Sequence, residues 1–473
     1  MGRGHINLVA IASSAHAVYN ASLSYRAARQ QHPVTRRRYA NAPKACMSDK
    51  TSPDSHSPSL PAAPARAGNL KFILVGVFID MLGIGLVVPV LPILIGDFVD
   101  GKDAQAFWYG IMAAVFGLLQ FIFMPMLGAI SDRVGRRPVL LYSMAGMGVN
   151  FLATGWAPNL ACLFIGRIIG GVSSASMSVA SAYASDISTH DNRAKSFGKI
   201  GAAFGLGFIC GPMLGGLLGE VNLHLPFYVA AGLSAANFIY GYFFVPESLQ
   251  PGPRAPFTLA RINPFAALLK LVRRVEIRGL VLAFGLMTFA QMMLNTTWVL
   301  YTHFRFDWTP RQNGIALFCV GLCAAVVQAG LLGILIKRFG EVRLSLLGMA
   351  SGALTYLLYG MATQGWMMYA LILCNLLAFA AGPALQGIIS KSSNAGEQGE
   401  LMGSLQSISS LGIIIMPLLG SMILGEVSHL PPQDWRIGST FYLCAIMQTL
   451  GILVAWRYFK AQRQARLMVS TTK

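Results

Sequence analysis

Charge is what this sequence of 473 residues has least of: 11% of it is charged, with 18 acids set against 36 Lys and Arg. Soluble globular chains carry about 25%, so an ordinary water-soluble core is excluded. No Gly-rich loop ending in Lys-Ser/Thr occurs, which excludes a P-loop ATPase as the source of energy. The eight histidines show no ligand spacing, and neither a metal site nor a cofactor is expected. The seven cysteines form no framework. Cys162, Cys210, Cys319, Cys323, Cys374 and Cys444 fall within or at the ends of apolar runs and Cys46 stands near the start, so each reads as a small buried hydrophobe or a bystander. No disulfide is expected, and an enzyme is not the reading these absences favour.

What is present is apolar length. Hydrophobic residues make up 55% of the chain and mean hydropathy is +0.57. A hydrocarbon core of about 30 Å needs about 20 apolar residues per helix. Such runs occur at 70–95, 107–127, 138–156, 159–183, 196–219, 226–246, 278–300, 312–335, 343–363, 366–389, 400–424 and 438–458. The expectation is an all-α membrane protein of twelve transmembrane helices. The net charge of +18 follows from where the cations sit. Arg133, Arg136 and Arg137, Arg193 and Lys195, Arg254 to Arg278, and Lys337, Arg338 and Arg343 fall in alternate loops, while Asp97, Asp100 and Asp103 face the single Lys102 in a loop between them. That alternation puts the basic loops and both termini in the cytoplasm, and no nucleic-acid partner is needed to explain it.

The chain divides by composition. Residues 1–69 are a leader with seven basic residues and no acid before Ala45, followed by a Pro/Ala/Ser stretch, and Met47 is a plausible true start. It reads as a disordered extension. A first six-helix half over 70–246, a basic cytoplasmic loop over 247–277, a second half over 278–458 and a cytoplasmic tail over 459–473 follow. The halves repeat each other. An offset of 205 carries the hinge Gly128-Ala-Ile-Ser-Asp132-Arg133-Val-Gly135-Arg136-Arg137 onto Gly333-Ile-Leu-Ile-Lys337-Arg338-Phe-Gly340-Glu341. The same offset carries Gly207, Pro212 and Gly215 onto Gly412, Pro417 and Gly420. Parallel halves of this kind place a substrate path between them at the bilayer midplane.

Four stretches carry mechanism. In the hinge, Asp132 can sit at a helix N-terminus, where a carboxylate gains roughly 0.3–1 kcal/mol. Arg133, Arg136 and Arg137 can pair with Asp186, contacts expected only while that face is closed. Gly207, Gly211, Pro212, Gly215 and Gly216 give span five a face nearly free of β-carbons, suited to close backbone approach, with Pro212 removing a backbone donor. Asp80 and Arg167 are full charges inside spans, expensive at depth and functional by default. A cycle that changes their separation couples a proton on Asp80 to transport. Gln120, Asn150, Gln291, Asn295, Gln328 and Gln386, with Tyr356, are the candidates for the substrate path, since uncharged amides among aromatics suit a flat amphipathic molecule.

With Leu82-Gly83-Ile-Gly85 and Pro89 to Pro92 in span one and Arg167-Ile-Ile-Gly170-Gly171 in span four, these motifs resemble the twelve-span drug/proton antiporters of the major facilitators. Phe204-Gly-Leu-Gly207, Trp298-Val-Leu-Tyr301 and Gly382-Pro-Ala-Leu-Gln-Gly387 bring the chain closer to tetracycline/H⁺ antiporters. The resemblance spans about Leu70 to Arg457 and supports Asp80 and Arg167 as proton-coupling residues. It departs where that group carries aspartates in spans three and nine and a histidine in span eight, for those frames hold Asn150, Gly352 and Ala324. Tetracycline itself is therefore not the expected substrate. The resemblance implies proton-coupled efflux of small amphipathic compounds by alternating access, in a bacterial inner membrane, with small-molecule substrate, protons and lipid as partners and a monomer as the working unit. A proton-independent or symporting nutrient carrier is the alternative, and a non-transporting sensor or scaffold the second.

Overall fold

The computed structural model describes residues 69–189, 192–249, 277–392 and 398–471. The leader with Met47, most of the basic loop 247–277 and the last two residues of the chain lie outside the described residues. The described chain is helical throughout, with no strand among the described residues.

Apolar runs become helices because a chain in lipid must satisfy its backbone groups internally. Helix α1 (Asn69–Val87) ends before Pro89, which has no N–H to continue the ladder, and the chain resumes in a short turn at Leu91–Leu94. Helix α2 (Lys102–Val134) and α3 (Arg136–Gly155) meet at Gly135, whose φ of +117° only glycine adopts without strain. Span four is broken into α4a (Leu160–Ser173) and α4b (Ser176–Ile187), and α5 (Arg193–Val221) and α6 (Leu225–Phe244) complete the first group. The second group comprises α7 (Arg278–Phe306), α8a (Pro310–Ala325), a π-helical turn (Val326–Leu331), α8b (Leu332–Phe339), α9 (Glu341–Met361), α10a (Gly365–Cys374), α10b (Ala378–Lys391), α11 (Gln398–Val427) and α12 (Ser439–Thr471). Helix α12 thus runs on through the stretch read as a tail.

Ten helical stretches are long and apolar enough to cross a bilayer, or eleven when α10a and α10b, bent by 42°, count as one. The remaining predicted span, 138–156, forms α3. Its 20 residues reach about 30 Å at 1.5 Å per residue, but it carries Ser143, Asn150 and Thr154, all fully buried. This helix turns polar side chains into the bundle, which lowers its apolarity.

Within the first group α1 packs on α5 and α6, and α3 on α4a and α6. Within the second α7 packs on α11 and α12, and α9 on α10b and α12. The groups join chiefly through α2 with α11 and α5 with α8a, with lesser contacts of α7 to α2 and to the Leu91–Leu94 turn. This is an arrangement of two related helical halves. The repeat also survives in contacts: Gly340, at offset 205 from Gly135, has φ +76°, and the ion pair Arg136–Asp186 at 3.0 Å has its counterpart in Glu341–Lys391 at 2.5 Å, at the same offset with the signs exchanged.

Candidate functional site: a hinge, a buried charge pair and a one-ended seam

The hinge is an ion-pair knot around Arg136. Its guanidinium, on a residue 7% exposed, reaches Asp132 at 2.6 Å and Asp186 at 3.0 Å and donates to the Ser131 hydroxyl at 2.7 Å. Arg137 donates to the Tyr242 carbonyl and stacks over the Tyr242 ring at 5.6 Å. Asp132 occupies the last turn of α2, at the end of a helix that carries partial negative charge. The carboxylate at the N-terminus of α3 is Glu247, which accepts from the backbone N–H of Arg136 at 2.8 Å and of Arg137 at 3.1 Å. It also accepts from the N–H of Ser248 and Leu249, both at 3.0 Å, and its carboxylate fills the space where a Gly135 β-carbon would stand. Sequence reasoning missed Glu247; an acid directly after span six, at the same end as the hinge, was the available signal. None of these partners comes from the second half, so they do not depend on that face being closed.

The glycine motif of α5 divides its work. A β-carbon on Gly207 would lie 2.6 Å from the Phe78 carbonyl, one on Gly211 2.6 Å from Gly85, and one on Gly215 inside the Leu86 carbonyl. These three hold α5 against α1, within one half. Gly216 faces the other half, where a β-carbon would lie 2.5 Å from the Pro310 carbonyl and 3.0 Å from Gly314. Pro212 takes part on both sides: its ring stands 3.0 Å from a Gly85 β-carbon, and its carbonyl abuts Gly314.

Among the described residues, the close contacts between the halves gather at one end. On the α5–α8 seam Ile209, Gly216 and Gly219 meet Gly321, Gly314 and Pro310; on the α2–α11 seam Gly110 meets Ser421, and Gly117 meets Ile413. Lys102 adds a hydrogen bond to the Phe304 carbonyl at 3.3 Å. Toward the hinge, Gly198, Gly201 and Gly205 continue the same face of α5, at spacings of three and four, yet a β-carbon there meets nothing within 4 Å. Gly330, Gly333, Gly387 and Gly403 in the second half are equally open. The halves are shut at the end away from the hinge and parted at the hinge end.

Asp80 and Arg167 are both buried, at 5% and 8% exposure, and do not pair. Asp80 lines a small cavity with Gly76, Leu140, Met144, Ser176, Asn237 and Tyr240. The Ser176 hydroxyl there is the hydrogen-bonding neighbour of the Asp80 carboxyl, and the Asn237 carbonyl oxygen has no hydrogen-bond partner. Arg167 stands nine residues before Ser176, about 13 Å along span four. It donates to Asn150 Oδ1 at 3.0 Å and Thr154 Oγ1 at 3.4 Å, with the Phe116 ring at 5.7 Å. Gly166 and Gly170 make the room: a β-carbon on either would lie about 3 Å from Thr154 or Asn150 side-chain atoms.

The path candidates fall into separate groups. Gln120 donates to the Ser174 hydroxyl at 2.8 Å, in the break of span four. In the second half Tyr356 donates to Gln291 Oε1 at 3.2 Å, and Gln291 Nε2 to Asn295 Oδ1 at 3.2 Å. Gln328 is exposed on the π-helical turn and Gln386 on α10b. Asn150 belongs with Arg167 instead.

A polytopic bundle of two related halves, meeting along paired seams that close at one end, with buried charge beside them, is the build of a membrane carrier rather than of an enzyme. The family follows: a profile of the Major Facilitator Superfamily matches residues 73–406 and 329–470, and the chain belongs to that superfamily. Curated relatives include the class C tetracycline resistance protein of Escherichia coli, 37% identical over 80% of this chain and 96% of that protein. The class G protein of Vibrio anguillarum is 36% identical over 80% and 95%. Among solved structures, the human organic anion transporter MFSD10 (TETRAN) shares the fold with a TM-score of 0.60 at 24% identity, over 83% of this chain and 100% of that one. The chain is therefore an integral, multi-pass membrane transporter of small molecules.

Proposed function

We propose that the chain exports small amphipathic compounds in exchange for protons, as a monomer in a bacterial inner membrane with both termini cytoplasmic. The observation that carries this is the one-ended seam, with Asp80, the one buried carboxyl among the described residues, inside the half that carries the hinge. The Lys and Arg of the hinge end orient it to the cytoplasm, so the open end faces the cytoplasm here. A proton arriving from outside neutralises Asp80 and favours this state; its release to the cytoplasm favours the other, carrying substrate out. The hinge holds α2 and α3 as one rigid corner, so that the half moves as a unit and its rim can meet the second half on closure. Relatives that are tetracycline resistance proteins favour a drug-like cargo, while Asn150, Gly352 and Ala324 favour a cargo other than a metal-chelated tetracycline.

The test is uptake into inverted vesicles energised with a proton gradient, comparing the parent with Asp80→Asn over tetracyclines and cationic drugs. Accumulation that dissipates the gradient and is lost in Asp80→Asn is the expected result. Transport that survives collapse of the gradient would replace antiport with facilitated passage.

A further inference from the structure

A buried guanidinium in this bundle has no counter-charge. Arg167 is 8% exposed, and no carboxylate lies within 4 Å of it among the described residues. Among the described residues its hydrogen bonds run from Nη2 to two neutral groups, Asn150 Oδ1 and Thr154 Oγ1. Nε is buried without a partner, and so is the Asn150 amide nitrogen beside it. Two donors, Nε of Arg167 and Nδ2 of Asn150, are thus gathered at one place with no acceptor to receive them. The arrangement is built: Gly166 and Gly170 admit the Asn150 and Thr154 side chains under the guanidinium, and the Phe116 ring lies across it at 5.7 Å. A charge removed from water is tolerated when paired and hydrogen-bonded, and a buried donor without an acceptor calls for one. Donors only, plus a full positive charge, select an acceptor that is an anion. The aromatic face selects something flat and apolar attached to it.

We propose that Arg167, with Asn150 as its neutral partner, is the subsite for the acidic group of an amphipathic organic anion, so that the cargo of this carrier includes aromatic carboxylates or sulfonates. This rests on the transport reading above, and deepens it from any amphipathic compound to one bearing a negative charge. The neutral side chain at position 150 is what leaves the guanidinium free; an aspartate there would sit 3 Å from Nη2 and take the place of the ligand.

The experiment uses the purified full-length protein in detergent and fluorescence polarisation of two flat dyes, 5-carboxyfluorescein as the anion and rhodamine 6G as the cation. Asn150→Asp and Asn150→Ser are compared with the parent, each first checked for unchanged thermal unfolding. The parent is expected to bind carboxyfluorescein. Asn150→Asp should weaken that binding at least tenfold while leaving rhodamine 6G within twofold or tighter, and Asn150→Ser, still neutral, should keep the anion. Equal loss in both variants, or no anion binding by the parent, would overturn the subsite. So would displacement of carboxyfluorescein by chloride in the low millimolar range, which would make the ligand an inorganic ion. Anion binding that behaves as expected without gradient-driven uptake in vesicles would sink the antiport reading and leave the subsite standing.

Discussion

The guanidinium of Arg136 is shared by Asp132, Asp186 and Ser131, while Glu247 takes the amides on either side of the Arg136–Arg137 peptide. At offset 205 Lys391 meets Glu341, its one ionic partner among the described residues, and the lysine side chain is 69% exposed. The two pairs are sequence equivalents and energetic opposites. An exposed lysine–carboxylate pair contributes about 0–1 kcal/mol, whereas removing one member of a buried network strands its partners. Arg136→Ala should therefore cost toward the lower end of about 3–5 kcal/mol, since Asp132 is itself 54% exposed and hydrates readily. Lys391→Ala should lie within about 1 kcal/mol of the parent. Thermal unfolding in detergent separates them, and equal shifts would show that the knot around Arg136 is no stronger than a surface pair. Exchanging both signs, Glu341→Lys with Lys391→Glu, should be nearly neutral; Arg136→Glu with Asp186→Lys should not, because Asp132 and Glu247 would then face a third carboxylate. The sequence named Arg136 and Asp132 through their spacing around the two glycines, and Asp186 as an acid the hinge arginines can pair with. It did not name Glu247, whose position depends on α6 returning the chain to the start of α3 more than a hundred residues later.

At the scale of elements, the apolar runs were legible because lipid enforces length and hydrophobicity together, and the glycine-rich face of α5 because small residues at spacings of four admit a neighbouring backbone. Which neighbour was not legible. Gly207, Gly211 and Gly215 turn out to face α1 and only Gly216 and Gly219 face α8a, a division set by the direction of each residue around the helix and by the crossing of two helices far apart in sequence. Helix α3 was legible as a helix but its polar lining was not, since burial of Ser143, Asn150 and Thr154 depends on α4a lying against it. The π-helical turn at Val326–Leu331, which carries Gln328, has no sequence mark either. The division within α5 separates two kinds of variant. In Gly215→Ala the new methyl meets the Leu86 backbone, which cannot yield as a side chain can, and overpacking of about 1–3 kcal/mol or more is expected. Gly205→Ala places its methyl in open space and loses nothing in this conformation; alanine even favours the helix by up to about 1 kcal/mol. The expectation is a lowered unfolding temperature for the first and an unchanged or raised one for the second. If Gly205→Ala folds well yet transports more slowly, then its face meets the other half in the alternate state.

For the molecule as a whole, the two halves touch along α2–α11 and α5–α8a at one end and stand apart at the end that bears the hinge. A seam closed at a single end can serve transport only by reopening, and the closed end offers a direct way to forbid that. A β-carbon at Gly425 on α11 would lie 3.7 Å from the Ala106 β-carbon on α2, within the range of about 3.5–4.5 Å that a disulfide spans. Ala106→Cys with Gly425→Cys, in a chain whose native cysteines are replaced, should therefore cross-link under mild oxidation, seen as a mobility shift between reduced and oxidised protein. Uptake into energised vesicles should fall to background on oxidation and return on reduction, because the bond joins the halves across the seam that must part. Single substitutions should be insensitive to oxidant, which separates the bond from any effect of the side chains. If the bond forms and transport continues at the parent rate, the halves do not separate at that end, and the alternation of states proposed for this carrier is wrong. If the bond does not form at all, the closed end described by Gly110, Gly117, Gly216 and Gly314 is not the state the protein occupies at rest, and the open hinge end loses its standing as the side from which cargo enters.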